Sequence, residues 1–230
     1  MEGNSFWFRS RSRLIEWALG RYLPQVRSFL EVGCGNGFVL AELHARRPDL
    51  RLTGTDLYPE GLRIARARLP HVPFVRADAV CLPLAGSYDA VGIFDVLEHI
   101  DDDERVLGEL FRMVRPGGGL LITVPQHRML WSAMDDLACH RRRYARRQLI
   151  DRVTAAGFEI TRVSSFVSLL VPAMFASRYN RRTADVRGEL SLPGPLDRTC
   201  ERIMDVERAL IRMGISWPVG GSLLLVGSRP

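Results

Sequence analysis

Short apolar runs alternate with amphipathic segments along the first 125 residues of the chain. Segments with the length and apolar character of buried strands lie at 28–33, 51–56, 73–78, 88–94 and 119–125. Apolar residues at helical spacing occupy the stretches between them, at 38–46, 60–68 and 103–114. Strands and helices that alternate at this length are typical of βαβ units, which pair their strands in parallel through right-handed crossovers. The pattern therefore predicts a doubly wound α/β domain.

The same kind of pattern continues on both sides of this alternation. Helices are predicted at 14–23 and 146–156, and strands are predicted at 158–166 and 222–228. The roughly 50 residues between the last two strands exceed the few residues of an ordinary connection. We therefore expect a helical insertion at 167–216, before the last strand.

The predicted insertion begins with an apolar stretch and continues into an arginine-rich one. Pro172 interrupts the apolar stretch, so a long amphipathic helix is not expected there, and a helix is predicted near 196–213. As a lid, the insertion would cap a substrate pocket. As an interfacial anchor, segment 166–182 would bring arginines to anionic headgroups and reach a lipid-linked acceptor. Both interpretations stay open.

Composition narrows the class of protein. Apolar residues make up 47% and charged residues 25% of the 230 residues, which is typical of a globular domain and not of a disordered chain. All 32 basic residues are arginine, which excludes chemistry that requires a Schiff-base lysine or a P-loop lysine. The net charge of +6 fits a solvated arginine surface or an anionic partner.

Cysteine usage and hydropathy predict a cytoplasmic protein. The four cysteines form no C-x-x-C pair, and the first residues contain no apolar leader. No run reaches the roughly 18 apolar residues of a membrane-spanning helix. We therefore expect reduced thiols in the cytosol, with peripheral contact at the inner membrane face if segment 166–182 acts as an anchor.

Three glycines stand at the junction between the first predicted strand and the helix that follows it. Gly33, Gly35 and Gly37 occupy alternate positions there, and open α/β sheets bind ligands beyond the carboxyl ends of their strands. Glycine lets the main chain approach such a ligand closely. Phe38 stands where a dinucleotide fingerprint would have its third glycine, which disfavours a phosphate-binding turn.

Aspartates end the second and third predicted strands. Asp56 follows the glycines by about 20 residues, a spacing at which a carboxylate can accept hydrogen bonds from ribose hydroxyls. Asp78 ends the third strand in the same way. Either one alone would suggest a turn or cap residue. Together with the glycines they indicate a nucleoside site.

Five segments together resemble the ordered motifs of class I S-adenosylmethionine-dependent methyltransferases. Within about residues 29–125 they read EVGCGNG, GTDLYPEGLRIARAR, RADAVCLPL, YDAVGIFDVLEHI and VRPGGGLLITVP. The resemblance implies a Rossmann-like fold in a single domain, 1–230, with a seven-stranded, mostly parallel sheet whose last strand is antiparallel. It also implies S-adenosylmethionine as the methyl donor and S-adenosylhomocysteine as the product.

By this resemblance, a cofactor site would form along the carboxyl ends of the first four strands. The glycines would lie under the methionine part and the ribose, and Asp56 would bind the ribose hydroxyls. Residues after the second and third strands would border the adenine, and residues after the fourth would lie near the methyl group. The implied cofactor-binding residues are Glu31, Gly33, Gly35, Asn36, Gly37, Asp56, Leu57, Asp78, Ala79, Phe94, Asp95 and His99.

Two later motifs are similar to those of a bacterial subgroup of this family. A WSxxD motif stands at 131–135 and an HxRRY motif at 140–144. The N-terminal FWFRSR and the C-terminal WPVGGSLLLVGS also resemble the subgroup, so the similarity reaches both ends of the chain. The subgroup has no single agreed substrate, and the resemblance therefore does not extend to the acceptor.

Catalytic and substrate-binding candidates come from this part of the chain. If the acceptor is a hydroxyl, a histidine oriented by an aspartate could take its proton, and arginines could bind a carboxylate or phosphate in bidentate fashion. Alternatively, the segment is a lid held by its own salt bridges, with a structural histidine. The candidates are His140, Asp135 and His127 for catalysis, and Arg142, Arg143 and Tyr144 for substrate binding.

The function that these features favour is methyl transfer to a small-molecule or lipid-linked acceptor, by O- or C-methylation. No metal is expected, because the histidines do not stand at metal-ligand spacing. Three alternatives stay open: a nicotinamide-dependent oxidoreductase on a similar sheet, a nucleic-acid methyltransferase that uses the basic cluster 141–147, and a non-catalytic relative. The lack of an N-P-P-Y-like motif after the fourth strand disfavours the nucleic-acid methyltransferase.

Overall fold

Seven strands form one mixed sheet in the computed structural model, which describes residues 5–180 and 192–230. The strands are β1 (Ser28–Val32), β2 (Arg51–Asp56), β3 (Phe74–Arg76), β4 (Tyr88–Phe94), β5 (Val114–Pro125), β6 (Glu159–Phe166) and β7 (Ser222–Ser228). Their order across the sheet is β3-β2-β1-β4-β5-β7-β6. Strand β7 is antiparallel to both neighbours, and the other pairs are parallel. The predicted sheet is confirmed, including its antiparallel last strand.

Helices cover both faces of the sheet. They are α1 (Phe6–Tyr22), α2 (Phe38–Arg46), α3 (Pro59–Arg68), α4 (Asp103–Met113), α5 (Ala133–Leu137), α6 (Arg146–Ala155), α7 (Val171–Asn180) and α8 (Gly194–Arg212), with short 3₁₀ turns at Leu97–His99 and Arg128–Leu130. Buried side chains of α1, α2, α3 and α8 form one core cluster, and those of α4 and α6 form the other on the opposite face. This is the two-sided packing expected of a largely parallel sheet.

Strand β4 shows why the central strands read as continuous apolar runs. Ala90 and Phe94 belong to one core cluster, whereas Val91 and Ile93 belong to the other. Because successive side chains point to opposite faces, a strand buried on both sides has no polar face. A side chain at Gly92 would have no room, since its Cβ would lie 2.6 Å from the ring of Phe29.

The strand order reverses between β1 and β4, and this reversal positions the site. The chain builds β1, β2 and β3 outward in one direction, then returns to place β4 on the other side of β1. At such a switch point the loops after the two central strands diverge to opposite faces and leave a crevice at their carboxyl ends. The glycine loop 33–37 follows β1, and residues 95–99 follow β4.

Several element boundaries differ from the sequence-based expectation. Strand β3 ends at Arg76, before the expected 78, because Asp78 turns the chain: its carboxylate accepts a hydrogen bond from the Val80 N–H at 3.1 Å. Strand β5 begins at Val114, directly after α4, and so includes the proline and glycines expected to lie in a loop. Helix α1 begins at Phe6, eight residues before the predicted start at Leu14.

The predicted insertion contains two helices in its described part. Pro172 is the second residue of α7, where no helical N–H is lost, so it starts a helix and does not interrupt one as expected. Helix α8 is tied to α1 through Arg9, whose Nη2 lies 2.6 Å from Asp197 Oδ2 and 2.7 Å from Glu201 Oε2. Residues 181–191 of the predicted insertion lie outside the described residues, and so does part of segment 166–182. Within the described ranges, no helix has both the length and the apolar character that a membrane crossing requires.

Candidate active site

The three glycines of the loop 33–37 occupy positions that differ in how much room they leave for a side chain. All three have positive φ angles, +74°, +52° and +74°. A Cβ on Gly33 would lie 2.3 Å from Val96 Cγ2, and one on Gly37 would lie 3.0 Å from Ala65 Cβ. A Cβ on Gly35 would meet nothing within 4 Å. Packing therefore requires the outer glycines, and the middle one leaves open space beside its main chain.

Asp56 joins the end of β2 to this loop. Its Oδ2 accepts a hydrogen bond from the Gly35 N–H at 2.7 Å, and its Oδ1 accepts one from the Tyr58 N–H at 2.8 Å. The residue is 8% exposed. Each carboxylate oxygen has more than one acceptor position, so both oxygens can still accept a hydrogen bond from a ligand above the loop.

Other residues predicted to border the cofactor lie along the same edge of the sheet. Leu57 is 44% exposed, as a side chain that covers a flat ligand would be before binding. Asp78 is exposed in its turn, and Ala79 is buried beside it. Asn36 is held from outside the loop, because Arg68 Nη1 donates to its Oδ1 at 2.7 Å.

Glu31 and Phe94 are predicted cofactor-binding residues that are buried. Glu31 is buried in β1, two residues before the glycine loop. Phe94 is buried in the core, where its ring stacks on that of Phe29 with 6.5 Å between centroids. Only 2% of Glu31 and 4% of Phe94 are exposed, so little of either residue is open to a ligand.

Asp95 turns the chain out of β4 and meets a partner from α1. Its φ of +55° is unusual for a residue with a side chain. The carboxylate Oδ2 accepts hydrogen bonds from the Arg11 guanidinium and, at 3.2 Å, from the Thr123 hydroxyl. The guanidinium also lies 4.5 Å from the Trp7 ring centroid. The sequence analysis missed Arg11, since FWFRSR suggested only a general similarity and no charge partner.

The 3₁₀ turn at 97–99 buries a carboxyl group. Glu98 is fully buried, and neither Oε atom has a hydrogen-bond partner among the described residues. Burial raises the pKa of Glu98 well above its ordinary value, and the nearby Asp95 carboxylate adds to this. Burial and the neighbouring His140 lower the pKa of His99. Glu98 was also missed by the sequence analysis, although it stands directly before a predicted site residue.

Asp135 is the centre of the WSxxD segment. It closes a capping box at the start of α5, accepting the Ser132 N–H at 2.8 Å. Its Oδ1 lies 2.8 Å from His140 Nδ1, and Arg143 donates to both oxygens, at 2.7 and 3.0 Å. Burial acts to raise the pKa of Asp135, but the hydrogen bonds from His140 and Arg143 outweigh it and hold the pKa well below its ordinary value.

The remaining HxRRY residues make internal contacts, which does not support their predicted role in substrate binding. Arg143 is committed to Asp135, with only 8% of its side chain exposed. Tyr144 is fully buried and donates its hydroxyl to Asp103 Oδ2 at 2.5 Å; burial and this contact raise the pKa of the phenol. Arg142 Nη1 lies 3.0 Å from the same Asp103 oxygen and keeps partial exposure. These side chains hold the segment in place.

His127 follows β5 in a strained conformation. Its φ is +60°, its ring Nε2 is buried, and that atom has no hydrogen-bond partner among the described residues. Burial and the nearby Arg143 charge lower the pKa of the imidazole. Backbone strain of this kind is frequent at functional sites, so His127 stays a catalytic candidate without a contact to the Asp135–His140 pair.

The segments 97–99 and 140–144 meet in space although they lie far apart in the chain. The Arg141 N–H donates to the Glu98 carbonyl at 2.7 Å, which docks one segment on the other. The rings of His99 and His140 lie edge to face with 4.7 Å between centroids. His140 Nε2 lies 3.9 Å from Glu98 Oε1. A carboxyl group and two imidazoles therefore converge beside the carboxyl end of β4.

A separate cavity of about 600 Å³ lies among α1, α2 and α8. It contains none of the predicted site residues, and its lining consists of Arg13, Glu16, Trp17, Gly20, Arg21, Arg46, Arg208 and Arg212. Three of these arginines stand in the last turns of their helices, where cations interact favourably with the helix dipole. The helix ends account for the placement of these three arginines.

Comparison with known proteins agrees with this geometry. A family model described as "Methyltransferase domain" matches residues 4–163. A probable S-adenosylmethionine-dependent methyltransferase of Mycolicibacterium smegmatis is 32% identical over 163 residues, 68% of this chain and 60% of that protein. A trans-aconitate 2-methyltransferase of Methylobacterium radiotolerans is 36% identical over 105 residues, 46% of this chain and 40% of that protein.

The chain thus spans three fifths or less of the length of these two relatives. Among solved structures, a SAM-dependent methyltransferase from Thermotoga maritima is similar with a TM-score of 0.61 and 18% identity, over 96% of this chain and 90% of that one. At this identity the likeness concerns the fold. It agrees with the strand order and the antiparallel last strand described above.

Proposed function

The chain belongs to the methyltransferase-domain family, and on that premise we propose that it transfers the methyl group of S-adenosylmethionine to a small-molecule acceptor. The observation that carries the proposal is the junction of Gly35 and Asp56: an open stretch of main chain beside a carboxylate with acceptor positions to spare. Family membership favours methyl transfer over the nicotinamide-dependent alternative.

The residues at this junction fit the methyl donor. Asp56 would hold the two ribose hydroxyls, and Gly35 would leave its main chain bare beneath the sugar and the methionine part. Leu57, exposed beside Asp56, would cover the adenine, and Asp78 would bind at the ring edge. When bound, the sulfonium of S-adenosylmethionine makes its methyl group electrophilic. The protein's part is to hold donor and acceptor in line.

Two glycine substitutions separate packing from ligand binding. Gly33→Ala should destabilise the fold by about 2–4 kcal/mol, because its methyl group overlaps Val96 and the backbone has a positive φ. Gly35→Ala meets no atom and should cost only about 1 kcal/mol of strain. It should nevertheless weaken binding of S-adenosylhomocysteine about tenfold or more, by occupying the space beside the main chain. Chemical denaturation measures the change in stability, and calorimetric titration measures the change in binding. If Gly35→Ala bound S-adenosylhomocysteine as tightly as the unsubstituted protein, the ligand would not lie over the main chain at Gly35.

At the acceptor end, we propose that His140 takes the proton of an acceptor hydroxyl. The contact between its Nδ1 and Asp135 fixes the orientation of the imidazole. Nε2 is then the nitrogen that can accept a proton. O-methylation is therefore proposed ahead of C-methylation. A relative named for a methylated organic acid, trans-aconitate, supports an acceptor of small-molecule size.

The basic cluster at 141–147 supports this choice over a nucleic-acid acceptor. Arg142 and Arg143 are paired with Asp103 and Asp135. Arg146 donates to the carbonyls of Trp217 and Val163, at 3.1 and 2.5 Å. Three of the five arginines in the cluster are thus committed to internal partners, whereas Arg141 and Arg147 are exposed. Phosphate contacts supply most of the affinity for nucleic acids, and two exposed arginines offer few of them.

A lipid-like acceptor is a second version of the same activity. It is supported by two exposed apolar side chains within the first ten residues of the predicted anchor segment, Leu169 and Phe175, which are 39% and 42% exposed. Peripheral contact with a membrane through 166–182 belongs to this version. In both versions the donor site is the same.

The distribution of labelled methyl groups tests the proposal. A bacterial cell extract incubated with the protein and S-adenosylmethionine carrying a labelled methyl group should yield label in low-molecular-mass compounds. Label in the organic phase would favour a lipid-like acceptor, and label in the aqueous phase a polar one. Asp56→Ala serves as the inactive control. Enzyme-dependent label confined to protein or nucleic acid would contradict a small-molecule acceptor.

A further inference from the structure

Glu98, His99 and His140 form the only group of three or more possible metal ligands in the described ranges. One donor atom from each of them lies within 4.8 Å of the others. In a tetrahedral site, ligand bonds of about 2.0–2.2 Å place any two donors about 3.3–3.6 Å apart. Reducing separations of up to 4.8 Å to this spacing would take side-chain movements of about 1 Å.

The state of Glu98 is the second observation. A fully buried carboxyl group without hydrogen bonds is costly to the fold as a charged group. The guanidiniums that act on it are already committed, Arg11 to Asp95 and Arg143 to Asp135. The local charge is therefore not balanced by the described side chains once Glu98 is ionised. A cation between Glu98 and the two histidines would balance it.

The surroundings of His140 are those of a metal ligand. Asp135 engages Nδ1 of His140 and leaves Nε2 on the side of Glu98. The His99 ring packs edge to face against the His140 ring, with 4.7 Å between centroids. Ligating imidazoles in proteins usually have their other nitrogen fixed by a carboxylate or a backbone carbonyl. His140 meets that condition before any ion binds.

We propose that Glu98, His99 and His140 bind one divalent transition-metal ion. Two imidazole nitrogens and one carboxylate oxygen suit Zn²⁺, Co²⁺, Mn²⁺ or Fe²⁺ better than Mg²⁺ or Ca²⁺, which favour oxygen ligands throughout. Three protein ligands leave at least one coordination position open. The sequence analysis expected no metal because the histidines do not stand at metal-ligand spacing. Only the fold brings His99 and His140 together.

The consequence for the reaction rests on the proposed function. A bound ion would give a hydroxyl or carboxylate oxygen of the acceptor a fixed position beside the donor site. It would also lower the pKa of a bound hydroxyl, so that the proton passes to water. In the metal-bound protein His140 would act as a ligand of the ion and not as the base, since its Nε2 would no longer be free to accept a proton. The metal-free and metal-bound proteins would thus differ in how the acceptor loses its proton.

Metal binding can be measured without donor or acceptor. We expect the chelator-stripped protein to bind one Zn²⁺ per chain in calorimetric titration, and Co²⁺ to give visible absorption bands on binding. Glu98→Gln, which keeps the size of the side chain and removes the buried charge, should weaken Zn²⁺ binding by at least about 100-fold. His99→Asn should have a comparable effect. Thermal unfolding and S-adenosylhomocysteine binding of each variant check that the fold is intact.

The matched control removes the competing pair of histidines. His44 and His71 lie on the surface with their Nε2 atoms 3.1 Å apart, and they could bind Zn²⁺ on their own. The variant His44→Ala/His71→Ala should retain binding of one Zn²⁺ per chain. The proposal would be overturned if this variant lost the ion while Glu98→Gln kept it, or if the protein bound no Zn²⁺ at all. Neither result would affect the donor site, which S-adenosylhomocysteine titration tests separately.

Discussion

Asp56→Ala is expected to weaken binding of S-adenosylmethionine and S-adenosylhomocysteine by at least about 100-fold. A ribose that donates two hydrogen bonds to a carboxylate loses both, and hydrogen bonds to charged groups contribute about 1.5–3 kcal/mol each. The loop is affected as well, because the Gly35 and Tyr58 N–H groups lose their acceptor. Calorimetric titration with S-adenosylhomocysteine measures the loss, and denaturant unfolding reports any change in stability separately.

Asp49→Ala is the matched control for this substitution. Asp49 is an exposed carboxylate just before β2, and its contact is an ion pair with Arg47 at 3.3 Å. Removing it should leave the dissociation constant for S-adenosylhomocysteine within about twofold of that of the unsubstituted protein, since exposed ion pairs contribute little to stability. If Asp56→Ala also bound the ligand within twofold of the unsubstituted protein, the donor site would have to lie elsewhere.

Asp135→Asn is expected to destabilise the protein by about 3–5 kcal/mol at neutral pH. The substitution leaves the Arg143 guanidinium buried without its counterion, and loss of one partner of a buried ion pair costs about this much. It also replaces one acceptor of the Arg143 and His140 hydrogen bonds by an amide donor. Denaturant unfolding at constant pH measures the difference from the unsubstituted protein.

The pH dependence of this difference has a definite sign. The pKa of Asp135 is lower in the folded chain than in the unfolded chain, where it is near 3.9. The stability that the carboxylate contributes is therefore present above about pH 4 and is lost as the pH falls further. Unfolding of the unsubstituted protein and of Asp135→Asn should converge in acid.

Asp136→Asn provides the comparison on the same helix. Asp136 is exposed, and its Oδ1 accepts a hydrogen bond from Trp131 Nε1 at 2.9 Å. An amide oxygen can keep that hydrogen bond, so the variant should lose less than about 1 kcal/mol. Equal destabilisation of the two variants would mean that Asp135 does not anchor the segment 135–144.

The pattern of apolar residues predicted most elements because the central strands are buried on both faces. Residues 88–94 and 222–228 are strands with the expected bounds, and 38–46 is a helix with the expected bounds. Boundaries failed where a contact distant in sequence decides them. Helix α1 starts early because its first turn packs on α8, where Asp197 accepts the Phe6 N–H at 2.8 Å.

The site was predictable where it depends on strand ends or on neighbouring motifs, as in the Asp135–His140 contact, and less so where partners lie far apart in the chain. Parallel neighbours place the end of β2 beside the loop after β1, so the sequence could bring Asp56 near Gly35. It could not identify the partner of Tyr144, because Asp103 lies 41 residues earlier in the chain, on α4. The convergence of Glu98 with His140 was hidden for the same reason.

A crystal structure of the protein with S-adenosylhomocysteine tests the central claim most directly. The account predicts both ribose hydroxyls within hydrogen-bond distance of the Asp56 carboxylate, with the sugar and the homocysteine chain lying over the main chain at Gly35. The result that would contradict it is a fully occupied ligand bound elsewhere, such as in the arginine-lined cavity among α1, α2 and α8, with the loop 33–37 empty.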